Sequence, residues 1–447
     1  MDYLADLNQR VHDLVWGLPL MVLLMGAGLV CTIVTRGVQF RRLVFSFREV
    51  LGKLFIRGQG QGTVTPFQAL ATALASTVGV GNIAGVSTAI FLGGPGALFW
   101  LLVSGLLGMA TKFSEIAVAL YYRQPDDQGV VRGGAMYVLS KGLGMRWLGS
   151  AFALLTALAA FGIGNMVQAN SVSAAAESSF GASPQLTGVT LALITTLVVL
   201  GGIRRIVEVT QILVPLMCIL YLLGSLFIVV RFLGQVPEVI AMVLRSAFEG
   251  QAAVGGFAGA GVAAAVRFGI ARGLFSNEAG LGSAPIVHSS AITDHPVRQA
   301  TYGIFEVFID TFVVCLLTGL VVLTTGAWKS GETGAALSAK AFEVGLPGAW
   351  GHLIASGGLI LFAFSTLIGW AYYGETGATY LFGTKAVLPY RLLWVAFVYL
   401  GATGSLHFIW TLADTMNGLM ALPNLIAVLG SLPLLRRLTG EFFRKKA

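Results

Sequence analysis

Long apolar blocks divide this sequence of 447 residues, and they constrain its fold more than any other feature. Eleven such blocks can be delimited. Many are about 20 residues long, enough to cross a hydrocarbon layer of roughly 30 Å as a helix. Only 11% of the residues are charged, less than half the roughly 25% of a soluble domain. The sequence therefore predicts an all-α, multi-pass membrane protein.

Clusters of Arg and Lys, or loops rich in Gly, Pro and Ser, separate the apolar blocks. Between the first and second blocks, the apolar residues of 37–57 recur at helical spacing among basic residues, which predicts a helix along the membrane surface. The predicted spans lie near residues 16–35, 65–90, 95–121, 147–178, 188–203, 208–231, 252–285, 299–327, 350–375, 388–403 and 408–435.

The distribution of basic residues predicts the orientation. With the N-terminus outside, 20 of the 28 Lys and Arg residues fall in cytoplasmic loops or in the C-terminal tail, and five fall in outer segments. By the positive-inside rule, the C-terminus then lies in the cytoplasm. We expect the protein in the cell membrane of a bacterium, which is the inner membrane if the bacterium is Gram-negative. The net charge of +8 comes from basic residues that would face the anionic lipids of the cytoplasmic leaflet, and it does not indicate binding to a nucleic acid.

Two spans are interrupted by glycine and polar residues in the same way. The second contains 76–82 (STVGVGN), and the seventh contains 273–278 (GLFSNE), followed by Gly280, Gly282 and Pro285. Unsatisfied backbone groups are costly in lipid, so such runs persist where unwound backbone lines a cavity or binds a ligand. Two matched breaks indicate a transporter site, and the alternative is a pair of kinks that serve helix packing only.

The positions of the breaks also predict an internal repeat. If the first span is an addition, spans two to six and seven to eleven form two sets of five with opposite orientation. The N-terminal unit, 1–57, would contain one transmembrane helix and the amphipathic helix. The transporter core, 58–447, would contain an inverted repeat of 63–232 and 250–437, each half beginning with a discontinuous helix.

Other classes of protein fit the sequence less well. A channel needs rings of like groups around a pore, whereas this chain has two asymmetric breaks. The five histidines are scattered over loops and span ends, so we find no nucleophile–base pair or metal cluster and expect no enzyme. The glycines of 79–85 lack the preceding strand that a dinucleotide site requires. Nothing in the sequence points to an organic cofactor or to an obligate protein partner.

Several segments resemble the signatures of the alanine/glycine:cation symporter family. They are 58–85 (GQGQGTVTPFQALATALASTVGVGNIAG), 91–100 (FLGGPGALFW), 164–172 (GNMVQANSV) and 273–287 (GLFSNEAGLGSAPIV). The resemblance extends over essentially the whole chain. It implies a leucine-transporter-type fold and import of alanine or glycine by symport with Na+. In some members the ion is H+, and some carry another neutral amino acid such as glutamine.

The resemblance also implies a Na+ site between the first break and span nine. Its oxygens would be the carbonyls of Ala75 and Val78, a carbonyl near Phe362, and the hydroxyls of Ser365 and Thr366. Two adjacent hydroxyls one helical turn after a carbonyl can converge on one point, which suits a hard cation. The alternative for both hydroxyls is a hydrogen bond to the preceding helical turn.

Polar groups at the two breaks are the candidates for binding the charged ends of the substrate. Its carboxylate would accept hydrogen bonds from the N–H groups of Gly79, Val80 and Gly81 at the start of a half-helix. Oxygens for its ammonium group would come from Thr77, Asn82, Ser276 and Asn277.

Three larger side chains complete the predicted substrate site. Gln168 is an uncharged polar group within span four and would face the cavity, the alternative being an interhelical hydrogen bond. Phe275 and Trp370 would limit the size of the substrate side chain, or else they serve packing alone.

Charged residues within spans are further candidates. Lys112 and Glu115 lie three residues apart, and we expect them to pair with each other. Glu306 and Asp310 lie four apart and need a cation, a proton or an Arg partner.

The residues that flank the second break, Arg267, Arg272 and Glu278, would form a gate or neutralise these acids. In a proton-coupled transporter of the same fold, Glu278 or one of the acids of span eight would carry the proton.

Overall fold

The computed structural model describes residues 2–54, 56–249, 261–404 and 407–444, and nearly all of them are helical. In the N-terminal part, Arg36 and Gly37 both have left-handed backbone (φ 58° and 68°), and this turns the chain sharply after the first long helix. The helices here are α1 (Asp2–Val15), α2 (Leu18–Val34), α3 (Val38–Arg41) and α4 (Leu43–Leu51).

The first half of the core begins at a well-formed helix start. Thr65 and Gln68 form a capping box, and Pro66 occupies the first helical position. The elements that follow are α5 (Pro66–Thr77), a π-helical turn (Gly81–Gly85), α6 (Val86–Gly93), α7 (Ala97–Tyr121), the antiparallel strands β1 (Gln124–Pro125) and β2 (Val131–Arg132), α8 (Ala135–Tyr137), a π-helical turn (Val138–Gly142), α9 (Arg146–Ala159), a π-helical segment (Ala160–Met166), α10 (Val167–Phe180), α11 (Pro184–Val199), α12 (Gly202–Arg231), a 3-10 turn (Leu233–Gln235) and α13 (Val236–Phe248).

The second half is described from residue 261 onward. Its elements are α14 (Val262–Asn277), α15 (Ala284–His288), α16 (Pro296–Val307), a π-helical segment (Phe308–Cys315), α17 (Leu316–Thr324), a 3-10 turn (Ala327–Lys329), α18 (Gly334–Gly345), α19 (Trp350–Phe382), a 3-10 turn (Thr384–Ala386), α20 (Val387–Thr403), α21 (His407–Gly430) and α22 (Leu432–Arg444).

Eight helical segments among the described residues are long and apolar enough to cross a membrane, or nine if the bent pair α5–α6 is one span. The eight segments correspond to eight of the predicted spans, and the bent pair, whose helices meet at 50°, corresponds to a ninth. The predicted fifth span is α11, a shorter apolar helix of 16 residues. The predicted seventh span contains α14 and α15, and its residues 252–260 lie outside the described part. The multi-pass membrane class is confirmed, whereas the count of eleven stays a prediction.

The basic segment after α2 differs from the single surface helix that we predicted for 37–57. It forms two short helices, α3 and α4, because the chain leaves helical geometry at Arg42 (φ −120°, ψ 11°). The second still has two faces: Ser46, Glu49 and Val50 are buried, while Val44 is 64% exposed.

The central helix α19 is buried, whereas the helices around it expose apolar side chains. The middle of α19 is almost wholly buried, from Phe362 to Thr379. The helices around it, by contrast, have exposed leucine side chains on their outer faces, among them Leu197 on α11 and Leu223 on α12. In water such a surface would be unfavourable, and in a bilayer it contacts lipid tails.

Glycines on α19 give a direct test of this packing. A Cβ atom added to Gly377 would lie 2.5 Å from the carbonyl oxygen of Ala153 on α9, and backbone cannot move aside cheaply. Gly357, on the same helix, has no atom within 4 Å of the corresponding position. We expect Gly377→Ala to destabilise the protein by about 1–3 kcal/mol, measured as thermal unfolding in detergent. Gly357→Ala is the control and should unfold at or above the wild-type temperature, because alanine favours helix. Equal effects of the two substitutions would contradict the observed packing.

Candidate transport site

The first break frees one backbone carbonyl group. The α-helix α5 ends at Thr77, and Val78 adopts non-helical backbone (φ −79°, ψ 89°). The N–H of Gly79 then donates to the side-chain Oδ1 of Asn82 at 2.9 Å instead of continuing the helical ladder. In an unbroken helix that N–H would donate to the carbonyl of Ala75, which is therefore left for other partners.

Two hydroxyl groups of α19 take up this carbonyl. Ser365 Oγ and Thr366 Oγ1 donate to the oxygen of Ala75 at 3.1 and 3.0 Å. The same hydroxyls lie 2.9 and 3.0 Å from the carbonyl oxygen of Phe362. Both hydroxyls therefore lie within hydrogen-bond distance of the preceding turn of their own helix, which was the alternative that we considered, and also of the carbonyl of Ala75 on α5. Four of the five predicted Na+ ligands converge, while the backbone of the fifth, Val78, lies at the adjacent break.

Close approach of α19 to the break depends on Gly79. A Cβ atom at this position would lie 2.5 Å from Thr366 Oγ1, closer than any ordinary contact. A side chain here would push the hydroxyl away from the carbonyl of Ala75.

The second break has a different local structure. The helix α14 ends at Asn277, whose side-chain oxygen accepts the N–H of Ala279 at 3.0 Å. Glu278 has left-handed backbone (φ 53°), which is rare for a residue with a side chain, and Gly280 and Gly282 follow with φ 92° and 81°. Such strain persists only where its surroundings hold it in place, and it concentrates at functional sites.

One buried carboxylate connects the two breaks. Asp310, in the π-helical segment of span eight, accepts hydrogen bonds from Asn82 Nδ2 at 2.6 Å and from Ser276 Oγ at 3.1 Å. Thr311 Oγ1 donates to its other oxygen at 3.0 Å. The side chain is fully buried, and no basic group among the described residues lies within 4.0 Å of it. The acid is therefore held by neutral donors only.

A cavity of about 820 Å³ opens from the breaks toward one end of the molecule. At its inner end lie Val80, Gly81, Gln168 and Phe275, and residues of α18 and of the start of α19 also line it. The ring of Phe275 lies against Gly81, 3.4 Å from where a Cβ would be. Of the ten predicted substrate contacts, these four line the cavity.

Gln168 has a free acceptor at this inner end. Its Nε2 donates to the carbonyl oxygen of Ile163 on its own helix at 2.9 Å, so the interhelical bond that we considered as an alternative is not formed. Its Oε1 is buried and has no hydrogen-bond partner among the described residues. A buried amide oxygen without a donor is unusual, and it can accept from a ligand.

The other six predicted substrate residues are buried away from the cavity surface. Thr77 donates back to the carbonyl of Ala73 at 3.1 Å, and Asn277 Nδ2 donates to Thr311 at 3.3 Å. The N–H of Gly79 and the amide of Asn82 are engaged with each other, Asn82 and Ser276 both bind Asp310, and Trp370 Nε1 donates to Glu278 at 3.2 Å. These residues form a layer beneath the cavity in this conformation.

The buried charges pair differently from our expectation. Lys112 contacts Glu306 at 3.1 Å and not Glu115, because α7 and α16 pack with these two side chains facing each other. Glu115 instead accepts from Asn424 Nδ2 at 2.8 Å. Glu306 is therefore neutralised on span eight.

A histidine that we assigned to a loop also belongs to this buried network. His288 ends α15 with no exposure, and its Nε2 lies 3.0 Å from the second carboxylate oxygen of Glu306. Its Nδ1 lies 3.0 Å from the Gln299 amide. The apolar run 284–287 just before it was the signal that it could be buried.

The three residues predicted as a gate do not pair with one another. Glu278 accepts hydrogen bonds from Trp370 and Ser283. No acidic group among the described residues lies within 4.0 Å of Arg267 or Arg272, and Arg272 lines the cavity.

The end opposite the cavity is closed by backbone pairing, and we call this region the closed end. The segment before α5 pairs with the segment after α15 through the bridges Gln61–Thr293 and Val64–Ala291. Arg123 clamps the two segments: its guanidinium donates to the carbonyl oxygens of Gln61 at 2.7 Å and Ala291 at 2.6 Å. Sequence reasoning missed this role.

Ion pairs from several loops surround the closed end. Glu375 of α19 bridges Arg132 at 3.1 Å and Arg391 at 2.7 Å, and Arg298 contacts Glu49 at 2.7 Å. Burial raises the pKa of Glu49, but hydrogen bonds from Lys53 and Arg298 lower it further, and the pKa lies below its ordinary value. These basic residues come from four loops that we predicted to share one side of the membrane.

Two interrupted helices beside a cavity that is open at one end and closed at the other define a membrane transporter. The chain belongs to the sodium:alanine symporter family, whose model matches residues 1–447. The family and its named members are transporters and not enzymes, and they support Na+-coupled symport of an amino acid.

Individual comparisons agree with this assignment. The chain is 46% identical over 437 residues to the sodium/alanine symporter AgcS of Methanococcus maripaludis, covering 96% of this chain and 95% of that protein. It is 36% identical to the Bacillus subtilis protein named "Probable sodium/glutamine symporter GlnT", covering 93% and 86%. The crystal structure of MhsT in complex with L-phenylalanine has the same leucine-transporter-type fold, with a TM-score of 0.57 at 13% identity, covering 85% of this chain and 98% of that one.

The clamp at the closed end can be tested by chemical labelling. We expect Arg123→Ala to raise the alkylation rate of a reporter cysteine at Val64 on the order of tenfold, because hydrogen bonds from a charged group contribute roughly 1.5–3 kcal/mol. The native cysteines are buried and would be replaced by alanine. Arg205→Ala is the control, since that exposed arginine pairs only with Glu208 among the described residues. Unchanged labelling in Arg123→Ala would show that the clamp does not hold this end closed.

Proposed function

We propose that this protein imports alanine or glycine together with Na+ by alternating access around a site between the two broken helices. The observation that carries the proposal is the freed carbonyl of Ala75, which lies within hydrogen-bond distance of both Ser365 and Thr366. The proposed orientation has the cavity facing outward and the closed end facing the cytoplasm of a bacterial cell. It also includes eleven spans and an inverted repeat of 63–232 and 250–437, which the two breaks support.

The proposed Na+ site has no formal charge. Its ligands are the carbonyls of Ala75, Val78 and Phe362 and the hydroxyls of Ser365 and Thr366. A hydroxyl hydrogen rotates freely, so each hydroxyl can turn a lone pair toward an ion. Oxygen ligands suit a hard cation, and the lack of a carboxylate favours a monovalent ion over a divalent one.

The proposed amino-acid site lies at the inner end of the cavity. Val80 and Gly81 begin the second half of the broken helix, where N–H groups lack intrahelical partners and attract a carboxylate. The free Oε1 of Gln168 would accept from the substrate ammonium group. Phe275 packs over Gly81 and would restrict the substrate side chain. The buried layer of Thr77, Gly79, Asn82, Ser276, Asn277 and Trp370 stays a prediction for a tighter, closed state.

Asp310 supports a second candidate, coupling to H+. An ionised carboxylate without a cationic partner is unfavourable in a dry interior, so this group has reason to take up a proton or a cation. It contacts both breaks through Asn82 and Ser276, which would connect protonation to the substrate site. Glutamine or another neutral amino acid is the alternative substrate.

Uptake into proteoliposomes decides among these possibilities. We expect an inward Na+ gradient to drive accumulation of radiolabelled alanine, and a Na+ ionophore to abolish it. Unlabelled glycine should compete, and glutamine should compete poorly. Equal uptake from a proton gradient in Na+-free buffer would contradict Na+ coupling, and stronger competition by glutamine would contradict the proposed substrate.

The Na+ site itself is tested by Thr366→Ala. Loss of one ligand oxygen should raise the Na+ concentration for half-maximal uptake about tenfold, assuming roughly 1–1.5 kcal/mol for the contact. The preference for alanine over glutamine should not change. Thr379→Ala is the matched control, because this buried threonine of α19 donates to the carbonyl of Glu375 on its own helix at 2.7 Å. Thr366→Ser should restore the wild-type response, and unchanged Na+ activation in Thr366→Ala would remove this residue from the site.

A further inference from the structure

A second cavity, of about 270 Å³, lies far from the breaks, between the end of α2 and the C-terminal helix α22. Five arginine residues line it, and we call this the arginine pocket. Its arginines are Arg36, Arg41, Arg42, Arg436 and Arg444.

No acid neutralises the arginine pocket within the part of the chain that the structure describes. None of the five guanidiniums has a carboxylate within 4.0 Å, whereas the neighbouring Arg437 pairs with Glu441 at 3.8 Å. Five like charges around one small cavity repel each other, and the repulsion weakens when an anion enters. Arginine is also the residue best suited to phosphate, because its planar fork donates two parallel hydrogen bonds.

The pocket is built into the fold. Phe45 of α4 contacts Phe443 of α22 edge to face, with ring centres 5.8 Å apart. Arg42 stacks over the same Phe443 ring at 4.2 Å, which fixes its position. Arg36 has left-handed backbone (φ 58°), a conformation uncommon for a residue with a side chain.

A polar group without a partner also lies at this cavity. Thr439 lines the pocket, and its buried hydroxyl forms no hydrogen bond with any described residue. A phosphate oxygen would satisfy it. This is a second observation, independent of the charges, that indicates a ligand with acceptor oxygens.

The surface next to the pocket indicates what carries the phosphate. The last turns of α2 leave Leu29 and Ile33 52% and 66% exposed, and Phe40 of α3 is 62% exposed. An acyl chain can lie along these side chains while its headgroup enters the pocket. Basic pockets of this kind at the cytoplasmic end of transmembrane helices bind anionic headgroups.

We propose that the arginine pocket is a binding site for an anionic phospholipid, with the phosphodiester held by its arginines and the acyl chains along α2. The site is separate from the transport pathway. Its test does not require uptake, so it can fail while the proposed transport function stands.

Native mass spectrometry of the delipidated full-length protein measures this binding directly. The protein is titrated with phosphatidylglycerol, with phosphatidylcholine and with inorganic phosphate. We expect one phosphatidylglycerol to bind at least tenfold more tightly than phosphatidylcholine, because only the former carries net charge. Equal binding of the two lipids, or displacement of the lipid by millimolar phosphate, would overturn the proposal.

The variant Arg41→Gln with Arg436→Gln should weaken this binding on the order of tenfold or more, since each basic residue near a membrane surface contributes about a fivefold factor. Arg204→Gln with Arg205→Gln removes the same charge from another predicted cytoplasmic loop, and it should change binding less than twofold. If the double variant elutes as misfolded protein, Arg36→Gln and Arg444→Gln are measured singly, with about threefold to fivefold losses expected. Equal losses in the control, or none in the pocket variants, would show that the pocket does not hold the lipid.

Discussion

The requirement to satisfy every backbone polar group inside a membrane governs the structure around both breaks. A helix solves this problem by itself, and an interrupted helix does not. At the first break, Asn82 takes the N–H of Gly79, and two hydroxyls from α19 take the carbonyl of Ala75. At the second, Asn277 takes the N–H of Ala279, and Asn424 donates to the carbonyl of Gly280 at 2.9 Å. The polar side chains in these spans are therefore the replacements for lost helical hydrogen bonds.

These replacements explain why so much polarity lies in the centre of an apolar protein. Asn82 and Asn277 belong to the interrupted segments themselves, whereas Ser365 and Thr366 come from α19 and Asn424 from α21. The breaks therefore also join neighbouring helices to one another. Charge is used sparingly in this arrangement. Glu306 has Lys112 and His288 beside it, whereas Asp310 has only neutral donors. Asp310 is also in contact with both breaks, through Asn82 and Ser276.

Much of this fold is accessible to sequence reasoning, because apolar length and glycine interruptions are local signals. Nine of the predicted spans and both breaks lie where the pattern indicated. The hydroxyls of Ser365 and Thr366 meet the first break as the resemblance to a known fold implied. Side-chain partners were harder to predict. Lys112 faces Glu306 and not Glu115 because helix packing, which local spacing does not encode, decides which face meets which. The role of Arg123 depends on a contact with a segment more than 160 residues away in the chain. That of His288 depends on its position at the end of a short helix, in a part of the sequence that we predicted as a loop.

The proposed Na+ site has a property that follows from its hydrogen bonds when no ion is bound. Each of the two hydroxyls lies within hydrogen-bond distance of the carbonyls of Ala75 and Phe362, so both hydroxyl hydrogens already have an acceptor. An incoming ion has to break these bonds, and its net binding energy is reduced accordingly. A symporter needs this balance, because an ion bound too tightly outside would not leave on the inside. The site joins α19 to the broken helix, so a bound ion favours one arrangement of these two helices. The ion can shift the conformational equilibrium only by the difference between its affinities for the two states. Weak, geometry-dependent binding is therefore what the proposed coupling between ion and substrate requires.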